Sequence, residues 1–257
     1  PIARGVALAT LGATLAIPSM AQAAFIEDTK AGLELRNFYF NRDWRQDGAG
    51  QSKADEWAQG FLLRVESGYT EGTVGFGVDA LGLLGVKLDS SPDRTGTGLL
   101  PVGDSGAPDD YSQLGLTAKA RVSKSILKVG TLQPKNMAIA TSDSRLLPAT
   151  MRGAQLVSNE IDNLTLDVAY FDQFNDRNST NDQDITINTS GKGITGATES
   201  DEFVYLGGTY KLTKDLSASY YYSNLEDNYK QHALNLVHVL PIADGQSLKT
   251  DLRYQRS

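Results

Sequence analysis

Ser112-Gln113-Leu114-Gly115-Leu116-Thr117-Ala118-Lys119-Ala120-Arg121-Val122 decides the class of fold. Leu114, Leu116, Ala118, Ala120 and Val122 fall on one side of an extended chain. Gln113, Gly115, Thr117, Lys119 and Arg121 fall on the other. Side chains alternate across a strand with a period of two, so strict alternation over this length predicts a β-strand with one apolar and one polar face.

The same reading extends outward in both directions. Trp57 to Tyr69 sets Trp57, Phe61, Leu63, Val65 and Tyr69 against Ala58, Gly60, Arg64 and Glu66; Thr73 to Ala80 sets Val74, Phe76 and Val78 against Gly75, Gly77 and Asp79. Asn163 to Phe171 and Ser247 to Arg256 repeat the pattern. Weaker matches run through Gly32–Phe40, Ile126–Leu132, Phe203–Leu212, Leu216–Leu225 and Tyr229–Leu240. Helical periodicity is almost absent.

Two architectures accept such strands. A water-soluble sandwich buries the apolar face, whereas a transmembrane barrel turns it to lipid and keeps the polar face in a wet lumen. Alternation cannot separate them, but connection lengths can. Short connections at Thr70–Gly72, Ser123–Ser125, Asn159–Asn163, Thr213–Asp215 and Pro241–Gln246 take turns with long ones at 41–56, 89–110, 133–152 and 172–201. Tight turns on one rim and long external loops on the other are expected of an outer-membrane barrel. Phe38, Tyr39, Phe40, Trp57, Tyr69, Tyr210, Tyr220, Tyr222 and Tyr254 lie near strand ends, where interfacial girdles sit.

Composition narrows function. Among 257 residues, 24 are basic and 31 acidic, a net charge of −7, which disfavours a general nucleic-acid binder. No cysteine is present, so disulfides, thiolate metal sites and cysteine nucleophiles are excluded. Mean hydropathy is negative, against a bundle of membrane helices. Arg4, an apolar run from Gly5 to Ile17 and the A-x-A end Ala21-Gln22-Ala23 predict a cleaved secretory signal over residues 1–23, with the barrel domain from 24 to 257. The expectation is therefore an all-β, antiparallel transmembrane β-barrel. About ten or eleven strands are present, and because an open sheet in lipid leaves unpaired edges, they are read as the N-terminal part of a longer barrel.

The chain also resembles a known family. Leu35-Arg36-Asn37-Phe38-Tyr39-Phe40-Asn41-Arg42-Asp43, Gln59-Gly60-Phe61, Glu66 through Ala80 and Lys87-Leu88-Asp89 come first. Thr95-Gly96-Thr97-Gly98, Asp109-Asp110-Tyr111-Ser112, Gln133-Pro134, Ser144-Arg145-Leu146-Leu147-Pro148 and Leu216-Ser217-Ala218-Ser219 follow in order. Together, from Phe25 to Pro241, they resemble the OprD-type outer-membrane porins. The resemblance implies a barrel of about eighteen strands with an inward-folded third loop and selectivity for small carboxylates such as amino acids, small peptides or aromatic acids. A monomer or loose trimer in outer-membrane lipid and lipopolysaccharide is expected, with no cofactor, no nucleic acid and no enzymatic activity.

A basic side chain in the lipid midplane costs about 2–4 kcal/mol, so the basic residues opposite apolar ones should face the lumen. Arg42, Arg64, Lys119, Arg121, Lys128 and Arg145 are the candidate rungs of a basic ladder, which the family implies along one wall; Arg36, Lys249 and Arg253 follow the same rule. Several weak sites suit conduction better than one strong site, because the solute must leave. The segment 133–152 is the candidate constriction loop, with Asp143, Ser144 and Arg145 at its tip by the family match. There a guanidinium can grip a carboxylate at two points, and Asp143 an amino group. The ordinary alternative is that basic residues on a wet face and a long surface loop serve solvation only.

Other signals are weaker. Gly103-Asp104-Ser105-Gly106 looks like a serine-protease nucleophile, but His232 and His238 lie far along the chain among leucines, and a triad needs a base beside the serine. Asn175, Asp176, Asn181, Asp182 and Asp184 read first as a solvated loop and only second as a weak calcium site. Rival classes are a receptor or adhesion barrel without a conductive lumen, and a secreted β-sandwich hydrolase using Ser105.

Overall fold

A computed structural model describes residues 25–45, 50–187 and 197–257. The expected signal segment lies outside them. Eleven strands form one antiparallel sheet in chain order: β1 (Lys30–Asp43), β2 (Lys53–Glu66), β3 (Val74–Asp89), β4 (Asp110–Val122), β5 (Ser125–Leu132), β6 (Thr150–Ser158), β7 (Leu164–Asn175), β8 (Phe203–Lys211), β9 (Leu216–Leu225), β10 (Tyr229–Ala243) and β11 (Gln246–Arg256). Every neighbour in sequence is a neighbour in the sheet, the up-and-down meander of a barrel wall.

The faces are inverted relative to a soluble protein. On β4, Leu114 is 74% exposed and Lys119 only 7%. On β7, Leu166, Val168 and Tyr170 are exposed while Asp167 is buried. Leu33, Leu35, Leu63, Phe76, Val78, Leu127, Val129, Leu206, Leu234 and Leu252 belong to the same outward face. An apolar exterior of this extent is too large for a soluble monomer and is what hydrocarbon requires.

The strands run further than alternation alone indicates. The long connections are 44–52, 90–109, 133–149 and 176–202, each shorter than or offset from its expected span because strands extend into it. β3 continues past Ala80 to Asp89, and β6 was not visible as a strand at all. Both have the same cause. Near the long-loop rim the inner face is itself covered, so Leu81 and Leu83 on β3 and Met151 on β6 are apolar where a wet lumen would have polar residues. Alternation disappears when both faces are dry. The fifth connection on that rim, 226–228, is tight instead of long, with Asp227 in the left-handed region at φ 57°.

Two buried clusters fill this upper inner region. One joins Ala58, Leu62, Leu83, Leu99, Leu100, Tyr111, Leu146 and Leu147; the other joins Leu132, Met151, Phe171, Phe203, Tyr205, Tyr221 and Leu225, with Met137, Ala138 and Ile139 packed on it. The 133–149 connection contributes to both, so it runs from the β6–β9 wall to the β2–β4 wall across the inner face. Tyr39, Trp57, Tyr210, Tyr220 and Tyr254 are exposed outward as a girdle needs. Phe38, Phe40 and Tyr69 are not girdle residues: the two phenylalanines pack against the Leu146 cluster, and Tyr69 lies beneath Lys119 and Arg121.

Candidate functional site

The basic residues of the inner face descend through the register from the long-loop rim to the short-turn rim. Arg42 stands highest on β1, Arg36 lies six residues below it, and Arg64 of β2 pairs with Gly32 lower still. Arg64 in turn pairs with Leu81 of β3. Below it, Gly77 of β3, Lys119 of β4 and Lys128 of β5 are direct register partners, and Arg121 is two residues lower.

Three arginines meet at the top. Arg145 lies over the Phe40 ring, with Cζ 4.7 Å from its centroid, and Arg42 lies over the same ring at 5.6 Å. Arg145 Nε donates to the Thr97 carbonyl at 3.2 Å and Nη1 to the Ser144 carbonyl at 2.8 Å. Burial, then the like charges of Arg177 and Arg42, push its guanidinium below the ordinary arginine value. Phe40 supplies an aromatic platform, which favours a cation by about 0.5–2 kcal/mol depending on desolvation. Among the described residues, Arg145 has carbonyl oxygens as its hydrogen-bond acceptors and no carboxylate partner.

Arg177 lies in a polar segment that the sequence alone marks as a solvated outer loop. It enters from the β7–β8 connection, where Nη1 donates to Ser142 Oγ at 3.2 Å and Nε is buried without a partner. Gly98 provides the room: a Cβ there would lie 3.1 Å from Arg177 Nη2. No periodicity marks a lone arginine in a loop.

The loop that presents Arg145 is fastened at both ends. At its start, Asn136 Nδ2 donates to Asp167 Oδ2 at 2.9 Å, while Asn136 Oδ1 accepts from the Ala138 and Ile139 amides at 2.9 and 3.1 Å. Asp167 also accepts from Gln155 and from the Tyr205 hydroxyl, each at 2.9 Å. Near the tip, Arg36 forks onto Asp143 at 2.6 and 3.2 Å. Asp143, expected beside the solute, is therefore already engaged by a cation. Ser144 shares a hydroxyl contact with Ser142 at 3.1 Å. Leu146 fills the space over Gly60, where a Cβ would approach it at 3.1 Å. The neighbouring 90–109 connection is held by Glu56, which accepts from the Thr97 amide at 3.1 Å and from its hydroxyl.

The remaining candidates are paired to different degrees. Arg64 bonds Glu34 at 3.1 Å, and Glu34 also accepts from Arg36 at 2.7 Å. Lys119 is buried; its Nζ contacts Asp79 at 2.5 Å and the Ser67 carbonyl at 2.7 Å. Lys128 reaches the same Asp79 carboxylate at 3.5 Å. Arg121 stays exposed, its Cζ 4.4 Å from the centre of the Tyr69 ring. Arg253 is tied to Asp251 at 2.9 Å.

The weaker signals have ordinary places. Gly103 and Gly106 exchange backbone hydrogen bonds at 3.1 Å around Ser105. His232 and His238 follow the outward parity of Leu234 and Leu236, and His232 Nδ1 pairs with the Tyr220 hydroxyl at 2.8 Å. Asn175 donates to Asp182 at 3.4 Å, and Asp176 accepts the Arg177 amide at 2.8 Å. Among the described residues no group of three acidic or histidine side chains is placed to hold a metal ion.

Comparison with known proteins agrees with this architecture. A family model described as outer membrane porin, OprD family, matches residues 23–257. Porin D of Pseudomonas aeruginosa PAO1 is 44% identical over 236 residues, covering 91% of this chain and 51% of that protein. The crystal structure of Pseudomonas aeruginosa OpdQ is 56% identical with a TM-score of 0.80, over 91% of this chain and 59% of that one. Pseudomonas aeruginosa OpdK, solved with vanillate, is 41% identical with a TM-score of 0.79, over 90% and 57%. The chain thus spans about half the length of the curated relative it matches.

Proposed function

The chain belongs to the OprD family of outer-membrane porins, and from that premise we propose that it builds the basic wall and the constriction of a channel for small carboxylate-bearing solutes. Its eleven strands correspond to part of the 18-stranded barrels of that family. The observation that carries the reading is the Arg42–Arg145–Arg177 cluster, three guanidiniums brought together from a strand and two loops, with Phe40 beneath Arg42 and Arg145 and with Arg177 held at Ser142. Charges of one sign held together on a low-dielectric wall focus the field and draw in anions. A planar guanidinium can meet a carboxylate with two parallel hydrogen bonds.

Passage follows from the series below. A carboxylate leaving Arg145 meets Arg36 and Arg64, then Lys128, then Arg121. Several of these cations share an acidic partner, so each grips weakly and releases readily. Phe38 and Phe40 beside the arginines favour solutes that pair a carboxylate with an apolar or aromatic body, and the solved OpdK structure holds vanillate, itself an aromatic carboxylate.

The test is reversal potential under a salt gradient, with the full-length protein in planar bilayers, alongside benzoate uptake by cells. Arg145→Gln and Arg177→Gln are each expected to lower anion preference and uptake by about tenfold, the loss of one charge-assisted hydrogen bond's worth of binding. A wild type with no anion preference, or variants indistinguishable from it, would overturn the reading.

A further inference from the structure

Lys119 and Lys128 stand directly opposite each other on adjacent strands and share the inner face. Like charges so placed repel. Asp79, on β3, resolves the conflict: its two carboxylate oxygens reach the two ammonium groups, 2.5 Å from Lys119 and 3.5 Å from Lys128. The three groups are not equivalent. Lys119 is enclosed by Asp79, the Ser67 carbonyl and the Tyr69 ring, whose centre lies 4.8 Å from Nζ. Its side chain is 6% exposed and that of Lys128 is 38%. Lys128 and Asp79 line a cavity together with Arg64, Thr117, Gln133 and Gln155, at the root of the 133–149 loop.

We propose that Asp79 is a selectivity-setting residue, a carboxylate that cancels one of the two lysine charges on this stretch of wall and so limits how strongly the channel prefers and retains anions. The proposal rests on the carboxylate-channel reading. The cluster carries one net positive charge with Asp79 ionised and both lysines protonated. Without the carboxylate it would carry two: Glu66 lines the same cavity, but among the described residues Asp79 alone pairs with either lysine. An ion held by two unshared ammoniums is drawn in more strongly and let go more slowly.

The experiment measures the anion-to-cation permeability ratio of the full-length protein in planar bilayers, with barrel assembly checked by heat-modifiable mobility. Asp79→Asn is expected to raise the ratio by about twofold or more. Lys128→Met, which leaves Asp79 to Lys119 alone, is expected to lower it by a similar factor. Adding Lys128→Met to Asp79→Asn should bring the ratio back to near the wild-type value. If the wild type is anion-selective but Asp79→Asn leaves the ratio unchanged, Asp79 has no part in selectivity and the proposal fails, whatever Lys128→Met does. Should Asp79→Asn not assemble, Lys128→Met decides on its own: an unchanged ratio rejects the proposal. A wild type without anion preference rejects the channel reading instead.

Discussion

Gly77 shows how one missing side chain arranges the charges around it. A Cβ at this position would lie 2.5 Å from Lys119 Cε, 2.7 Å from the Gly68 carbonyl oxygen and 2.9 Å from Ser67 Oγ. The lysine stem lies across the glycine, and that path brings Nζ to Asp79 and the Ser67 carbonyl. Overpacking a filled site costs about 1–3 kcal/mol. Gly77→Ala is therefore expected to lower the urea midpoint of the refolded barrel by that much, and to shift anion preference because Lys119 is displaced. A variant with unchanged midpoint and unchanged selectivity would show that the lysine has another route. At this scale the sequence tells half the story. Period two places Arg64, Lys119, Arg121 and Lys128 on the inner face, since the faces are fixed by alternation. It says nothing of which cation meets which carboxylate, because Asp79–Lys119 and Arg36–Asp143 join residues 40 and 107 positions apart. Arg177 carries no local signal at all.

Among the elements, the 133–149 connection carries the most consequence. Its position depends on unequal fastenings. Leu146 and Leu147 are buried against β2–β4, each contributing roughly 1.5–3 kcal/mol. The Arg36–Asp143 fork has its aspartate half exposed and contributes no more than about 1 kcal/mol. Removing the two should therefore have separable effects. Leu146→Ala is expected to cost about 2–5 kcal/mol in barrel stability. Asp143→Asn is expected to leave the unfolding midpoint nearly unchanged and to raise open-channel current noise, because the loop tip loses its tether. Equal behaviour of the two variants in both measurements would contradict this division. The same loop explains why β6 and the second half of β3 escape a sequence reading. By covering the inner face near the rim it makes Leu81, Leu83 and Met151 favourable there, and alternation ceases to report a strand. The lower halves of β3 and β4 keep polar residues and glycines on one side, so Gly75-Phe76-Gly77-Val78-Asp79 and Leu116-Thr117-Ala118-Lys119 remain legible.

For the molecule as a whole, net charge and lumen charge point in opposite directions. The chain carries −7, yet its inner face holds the basic series. Much of the acidity lies elsewhere. Glu202, Asp201 and Asp227 crowd Glu226 on the long-loop rim and hold its carboxyl above the ordinary value, in that the charge of Glu202 acts first. Asp109 and Glu160 sit in connections at the two rims and are held below theirs, by Lys87 and by the Lys124 amide respectively. On the proposed channel reading, selectivity is set where the solute is confined, so the rim acids weigh less than the wall cations. What makes this arrangement possible is the sidedness of the sheet, and the absence of cysteine makes sidedness measurable. Single cysteines placed along β4 should alternate in their reaction with a charged, membrane-impermeant thiol reagent. Gln113→Cys and Arg121→Cys are expected to react, since their side chains follow the inner parity and are not fully buried. Leu114→Cys, Leu116→Cys and Ala118→Cys, though more exposed or comparably exposed in the isolated sheet, are expected to be protected once the barrel is in a bilayer. In a soluble sandwich the order would not change on adding lipid, because exposed positions would already be wet. Reactivity at Leu116 and Ala118 in bilayers, with silence at Arg121, would place the cations in hydrocarbon at a cost of about 2–4 kcal/mol each near the midplane. No ladder of them could then be sustained.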